Sequence, residues 1–336
     1  MSYYYLSHKT IRHLIKHAKP NASFEDVLSW MSCATEYDEL PVRHNEDLIN
    51  AELSANLPLK ADTFGLPMWD PHVKAFLLLQ AYFSRIDLPI SDYVGDQTSV
   101  LDQAIRIIQA SIDVLTELGY LSSCEMMMTL LQCVKCGRWP EDGPLAIFTW
   151  VTGENEKQRM SNPKAHPRIL KEATTAPRKQ LDEALKQLSV PQSQHQRFYK
   201  SLAILPQLKV NVTNVTAIGL TIVVNRLNNP TERENRMYAP RYPKPQTEGF
   251  FVVVSTAGSD DIVALKRVSW TGNDGRNKGA SKPSARAVIR LPESLKERKL
   301  NVEVISDGYI GMRWRVEGVE VPAAPVGDDG GKKGQM

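Results

Sequence analysis

Several groups of residues in this chain have the types and spacing from which chemistry is built. His13 and His17 stand four apart on an apolar-periodic stretch, with His8 about one turn upstream. Two imidazoles at i, i+4 hold a metal only when a third ligand converges. No third ligand is identifiable, so a solvated or partner-facing surface is the preferred reading. Cys133-x-x-Cys136 with Cys124 has the spacing of half a zinc site. It ends an apolar helix with neither a second pair nor a following His, which favours buried thiols. Arg43, His44, Asn45, Glu46 and Asp47 pack base, imidazole, amide and two acids behind Pro41-Val42. Catalysis there would need a nucleophile or cofactor that the sequence does not show; the structural reading, a charged loop capping a helix that begins near Glu46, is preferred. The stretch 272–279 (GNDGRNKG) lacks the Gly-Lys-Ser/Thr ending of a phosphate loop, so no nucleotide site is expected.

The last group is a polar helix face. Asp102, Gln103, Arg106, Gln109, Asp113 and Glu117 lie opposite Leu101, Ala104, Ile105, Ile108, Ile112 and Leu115 at 100° per residue. Their helix is expected over 99–118, about 30 Å long, closed by Gly119 as the left-handed residue after its end. Three acids against one base argue against a strong phosphate clamp. Gln103, Arg106 and Gln109 can still offer donors to a passing single strand, which needs a track of contacts more than a high charge. A plain solvated surface is the competing reading.

These groups need elements to position them. Up to about residue 138 the periodicity is helical: Ile11, Leu14, Ile15 and Ala18 follow the i, i+3, i+4, i+7 rule, Ser23 reads as an N-cap, and Asp70-Pro71 opens a helix that is apolar nearly all round. A further helix is expected over about 122–136. Pro, Gly and charge weaken any assignment over 138–178. Leu181, Leu185 and Leu188, then Phe198, Leu202 and Leu205, mark two short helices around Ser189-Val190-Pro191. After Pro206 the period becomes two, with runs at 210–212, 220–224, 250–254, 262–268, 287–291 and 302–305. Roughly seven short antiparallel runs fit an immunoglobulin-like sandwich. The fold class expected is therefore α+β and multidomain: a helical bundle (1–140), a linker with a helix-loop-helix (141–205), a β-sandwich (206–322) and a disordered tail (323–336).

Bulk composition narrows the function classes. The 336 residues are 42% hydrophobic and 24% charged, the profile of a globular chain. No window approaches the ~18 apolar residues of a bilayer span, and MSYYYLSHKT has no apolar signal core, so a cytoplasmic or nuclear location without membrane contact is expected. Residues 1–140 carry 11 Lys+Arg against 17 Asp+Glu, and the remainder 30 against 21, net charges of −6 and +9. Such asymmetry suggests separate domains.

Taken in order, PVRHNED (41–47), DPHVKAFLLLQAYFSR (70–85), ELGYL (117–121), GRW (137–139), APRYPKPQTEGFFVVV (239–254), ALKRV (264–268) and SDGYIGM (306–312) resemble the Sec sixty-three unit. This module closes each cassette of the Ski-two-like RNA helicases, among them those of ribosome quality control. In structural terms the resemblance singles out Arg43, His44, Asn45, Glu46, Asp47, Asp70, His72 and Arg85. It also implies that the long helix is a ratchet helix lying along the single strand that leaves the motor core, with Gln103, Arg106, Gln109 and Asp113 as its nucleic-acid-binding residues. The implied partners are single-stranded RNA or DNA, bound weakly in isolation, the helicase motor domains, and proteins of a ribosome-associated or ribonucleoprotein complex that dock on the β-sandwich. The motor domains and winged helix that precede the module in such helicases are not seen here, so no catalytic residue, metal or cofactor is expected; ATP would belong to those motor domains. A pure protein-interaction scaffold is the alternative function.

Overall fold

The computed structural model describes residues 4–148, 169–228, 236–270, 283–295 and 297–323. The 272–279 stretch and the tail from 324 lie outside the described residues. Helices come first: α1 (His8–His17), α2 (Phe24–Ser32), α3 (Glu46–Asn56), α4 (Pro71–Ser84), α5 (Ser91–Glu117) and α6 (Leu121–Cys136). Among the described residues three further helices follow, α7 (Leu170–Thr175), α8 (Arg178–Gln187) and α9 (Gln192–Ile204), and then seven strands.

Local chemistry explains most of these boundaries. Ser23 and Asp26 form a reciprocal capping box at the start of α2. The Asp70 carboxylate accepts from the His72 amide at 2.8 Å, with Pro71 in the first turn of α4. Helix α5 ends where Gly119 takes a φ of 80° and the Tyr120 amide reaches back to the Leu115 carbonyl at 3.1 Å.

Helix α5 corrects the sequence expectation: it begins at Ser91 and not at Ser99, and runs through Gly95. Helix propensity disfavours a glycine there by ~1 kcal/mol. Tertiary contacts override it, because Tyr93 is fully buried with its hydroxyl on Asn50 at 2.8 Å, and Asp96 is tied to Lys74 at 2.7 Å. More of the helix circumference is buried than a single apolar stripe covers, since Val100, Ile107, Ala110 and Ser111 join Leu101, Ala104, Ile108, Ile112 and Leu115 inside.

The strands β1 (Leu208–Thr216), β2 (Gly219–Arg226), β3 (Gly249–Thr256), β4 (Ile262–Ser269), β5 (Ser284–Arg290), β6 (Lys299–Ser306) and β7 (Arg313–Glu320) form two antiparallel sheets. Their orders are β1-β2-β5 and β4-β3-β6-β7. The last strand is a structural finding, for RWRVEGVE alternates Trp314 and Val316 with charge and holds a glycine, a weak strand pattern.

Alternation along β3 explains how the layers join. Phe250, Val252 and Val254 point into a core shared with Leu220, Ile222, Val224 and Ala287 of the smaller sheet. Phe251 and Val253, with Ile305 of β6, point the other way into the core of α1–α6. The four-stranded sheet is thus covered on both faces, by helices on one side and by the three-stranded sheet on the other. Polar contacts fasten the helical part to this sheet: Lys135 to Asp307 at 2.7 Å, the Gln132 amide to the Ser306 carbonyl at 2.6 Å, and the Cys136 thiol to the Gly308 carbonyl at 2.8 Å.

Candidate nucleic-acid interface

Two places in the helical part concentrate polar side chains. The first is the outer stripe of α5. Gln103, Arg106, Gln109 and Asp113 recur every three or four residues and are all half-buried. One flank is the N-terminal segment: the Tyr4 carbonyl accepts from the Arg106 guanidinium at 3.4 Å, and the Tyr4 hydroxyl donates to Asp113 at 2.8 Å. Arg106 also donates to the Gln103 side-chain carbonyl. The other flank is β4. Arg267 pairs with Asp113 at 2.7 Å, donates to the Gln109 carbonyl at 2.8 Å, and lies over the Phe251 ring at 5.5 Å. Further along, Lys244 pairs with Asp102, and the Tyr242 hydroxyl donates to the Leu101 carbonyl at 3.1 Å.

At the Gln109 and Arg267 end of the stripe lies a cleft of about 180 Å³ that also reaches Phe251 and Asp307. Chemically the stripe with its flanks offers guanidinium, ammonium and amide donors beside two carboxylates. The two cations from the β region, Arg267 and Lys244, convert a stripe that is acidic by itself into a mixed surface. Arg267, Lys244 and Tyr4 are the residues that reading the α5 sequence misses, because they approach from 102 to 158 positions away. Only the ALKRV and APRYPKPQ stretches pointed towards two of them.

The second place is sealed. Lys74, fully buried on α4, donates to the Pro41 carbonyl at 2.7 Å, to Glu46 at 2.6 Å and to Asp96 at 2.7 Å, and stands 4.5 Å from the Tyr93 ring centre. All three ammonium donors are used. Arg43 adds contacts to Glu46 at 3.0 Å, Asp96 at 2.7 Å and Asp92 at 3.1 Å. Burial by itself raises the Asp96 and Glu46 carboxyls, but hydrogen bonds from Lys74 and Arg43 outweigh it and hold both below their ordinary values. The cluster joins α3, α4 and α5.

The other residues of the heptapeptide do not converge there: His44 and Asn45 are exposed, Asn45 in the left-handed region at φ 63°, and Asp47 is half-buried. His72 bridges the Ser32 carbonyl and Asp38, both at 3.0 Å. Arg85 closes α4 at φ 59° and donates to the Ala146 carbonyl at 2.6 Å. Lys74 and Asp96, the centre of the cluster, were not singled out from sequence, since a lysine inside an apolar run shows its partners only in the fold.

The remaining candidates are packed or paired. Cys124, Cys133 and Cys136 are buried, and burial pushes the Cys136 thiol up to about 11. The His13 and His17 rings stack at 4.2 Å, and burial, then the neighbouring His17, lowers the His13 imidazole. Among the described residues no three His, Cys, Asp or Glu side chains are grouped so as to hold a metal ion. Nor is any helix there long and apolar enough to cross a membrane.

Comparison with known proteins agrees with this architecture. The chain is 33% identical to the RQC trigger complex helicase SLH1 of Saccharomyces cerevisiae, over 93% of the chain and 17% of that protein. It is 36% identical to the DExH-box ATP-dependent RNA helicase DExH14 of Arabidopsis thaliana, over 93% and 14%. With the human activating signal cointegrator 1 complex subunit 3 it shares 30% over 81% and 14%. The chain thus spans about one-sixth of the length of the relatives it matches. The family model described as the Sec63 Brl domain matches residues 1–318, and the chain belongs to that family.

Proposed function

We propose that this chain is a non-catalytic accessory module of an ATP-dependent RNA helicase, in which α5 guides single-stranded nucleic acid and the β region docks partners. The observation that carries the reading is the polar stripe of α5 with two cations beside it. A rod anchored at Tyr93 and Gly119 keeps Gln103, Arg106 and Gln109 in line, while Arg267 and Lys244 bring positive charge alongside. A single strand needs such a track of donors more than one strong clamp. In this reading the ratchet role belongs to Gln103, Arg106, Gln109 and Asp113, and ATP is used by motor domains outside the described chain. The two sheets form an immunoglobulin-like sandwich, a reading supported by seven antiparallel strands split three and four. The units at 1–140, 141–205 and 206–322 serve as bundle, helix-loop-helix and docking surface, in the cytoplasm or nucleus.

The test is fluorescence anisotropy with a 15-nucleotide RNA at low salt, on this chain alone and on the chain joined to helicase motor domains. Arg106→Ala and Arg267→Ala should each weaken binding in the joined form. Unchanged affinity for both variants in both forms would remove the guide role. The scaffold reading has one observation in its favour: Arg106 and Asp113 are already engaged by Tyr4 and Arg267.

A further inference from the structure

The reading above makes the β region a docking surface but assigns no partner to the outer face of the three-stranded sheet. Residues alternate along its strands, so Leu208, Leu220, Ile222, Val224, Ala285, Ala287 and Ile289 fill the core and their neighbours face outward. Cross-strand register arranges the outward set in rows: Lys209, Asn225 and Ser284; Asn211, Val223 and Arg286; Thr213, Thr221 (itself buried between its neighbours) and Val288; then Gly219 and Arg290. Lys209, Arg286 and Arg290 are exposed and form no ion pair among the described residues. The three strands contain no Asp or Glu. Their remaining base, Arg226, is buried against Glu248 and is not on this face. At the seam with the neighbouring sheet, the exposed Lys266 donates to the Val288 carbonyl at 3.4 Å and overhangs the same surface. Cations stand about 12 Å (Lys209 to Arg286) and about 13 Å (Arg286 to Arg290) apart by strand geometry.

We infer that this face is a docking surface for the phosphate backbone of duplex nucleic acid, contacted without sequence readout. Three features select that partner. The charge is of one sign, so it attracts a polyanion and has no carboxylate to repel one. Between the cations sit Asn211, Asn225, Thr213 and Ser284, and Lys, Arg, Asn, Ser and Thr are the side chains that contact phosphates. The three strands carry no aromatic residue, so the face has neither a platform for stacking unpaired bases nor the Tyr or Trp anchor typical of a protein interface. The surface is also turned away from α5, because the four-stranded sheet lies between them. A strand along α5 and a duplex on this face can therefore be held together.

The test uses the whole chain and a 16-base-pair RNA duplex, with anisotropy measured across a salt series. Lys209→Glu, Arg286→Glu and Arg290→Glu combined should weaken duplex binding on the order of tenfold or more and lower the salt slope by about 3. The same three positions changed to Gln should show a smaller loss in the same direction, with circular dichroism and melting unchanged. A control of equal charge change on α1, Lys9→Glu with Arg12→Glu and Lys16→Glu, should bind as wild type does. A poly-glutamate competitor of matched charge should displace the duplex poorly. The inference is overturned if the wild-type chain does not bind the duplex, if both sheet variants bind as it does, if the α1 control loses as much, or if poly-glutamate competes equally well. None of these arms depends on Arg106, so the guide role of α5 stands or falls separately.

Discussion

The Lys74 cluster and the Arg106 stripe are built from the same residue types and lie on adjoining helices, yet the fold treats them in opposite ways. Lys74 is fully buried, its three donors are all taken, and its carboxylate partners reach it from two other helices. Arg106 and Asp113 are half-buried, and their partners, Tyr4 and Arg267, come from the segment before α1 and from β4. A satisfied, dehydrated cluster fixes the geometry of three helices. A partly hydrated one leaves donors that can be exchanged for a ligand's at little cost.

The sharpest way to break this contrast is to remove Lys74. Lys74→Met removes the buried ammonium and leaves Glu46 and Asp96 with Arg43 alone, which approaches from the exposed rim, and should destabilise the chain by about 3–5 kcal/mol in urea titration. A loss under about 1 kcal/mol would place the cluster with the surface pairs. Making the whole site apolar, with Lys74→Met, Glu46→Leu and Asp96→Leu together, should recover much of that loss, because no buried charge then remains and the exposed Arg43 keeps Asp92.

Acid separates the two regions next. Glu46 and Asp96 titrate below their ordinary values in the folded chain. Their contribution is therefore present above the unfolded values of about 4.3 and 3.9 and is lost as pH falls through the folded ones. The wild-type melting temperature should drop steeply below about pH 4, and the triple apolar variant should drop less. Parallel curves for the two would show that these carboxyls do not drive acid unfolding.

At the stripe the order of effects reverses. Arg267→Ala should cost about 1 kcal/mol of stability or less, yet weaken single-stranded RNA binding roughly fivefold to tenfold in the helicase-joined form. The smallest effect is in salt: raising it from 0.05 to 0.5 M should erase most of the Arg267→Ala stability difference and leave that of Lys74→Met nearly unchanged.

The charge asymmetry between the two halves of the chain was legible, but its use was not. Asp102, Asp113 and Glu125 of the acidic half pair with Lys244, Arg267 and Arg313 of the basic half, so part of the imbalance fastens the helices to the β region. Much of the helix and strand order followed from period and caps. The start of α5 did not, because Gly95 argues locally against a helix that Tyr93 and Asp96 hold in place from outside. Strand β7 was hidden by its charged, glycine-interrupted pattern, as expected of a strand paired on one side only.

What the sequence by itself determined is most of the helices, six of the seven described strands and the family to which their ordered motifs belong, because periodicity and capping act over a few residues. Tertiary structure alone decided which charges are sealed and which stay wet, that β3 feeds two cores at once, and that Arg267 and Lys244 stand beside α5. Those outcomes depend on burial and on contacts across more than a hundred residues, where dehydration sets the energy of a charge and no local pattern records it.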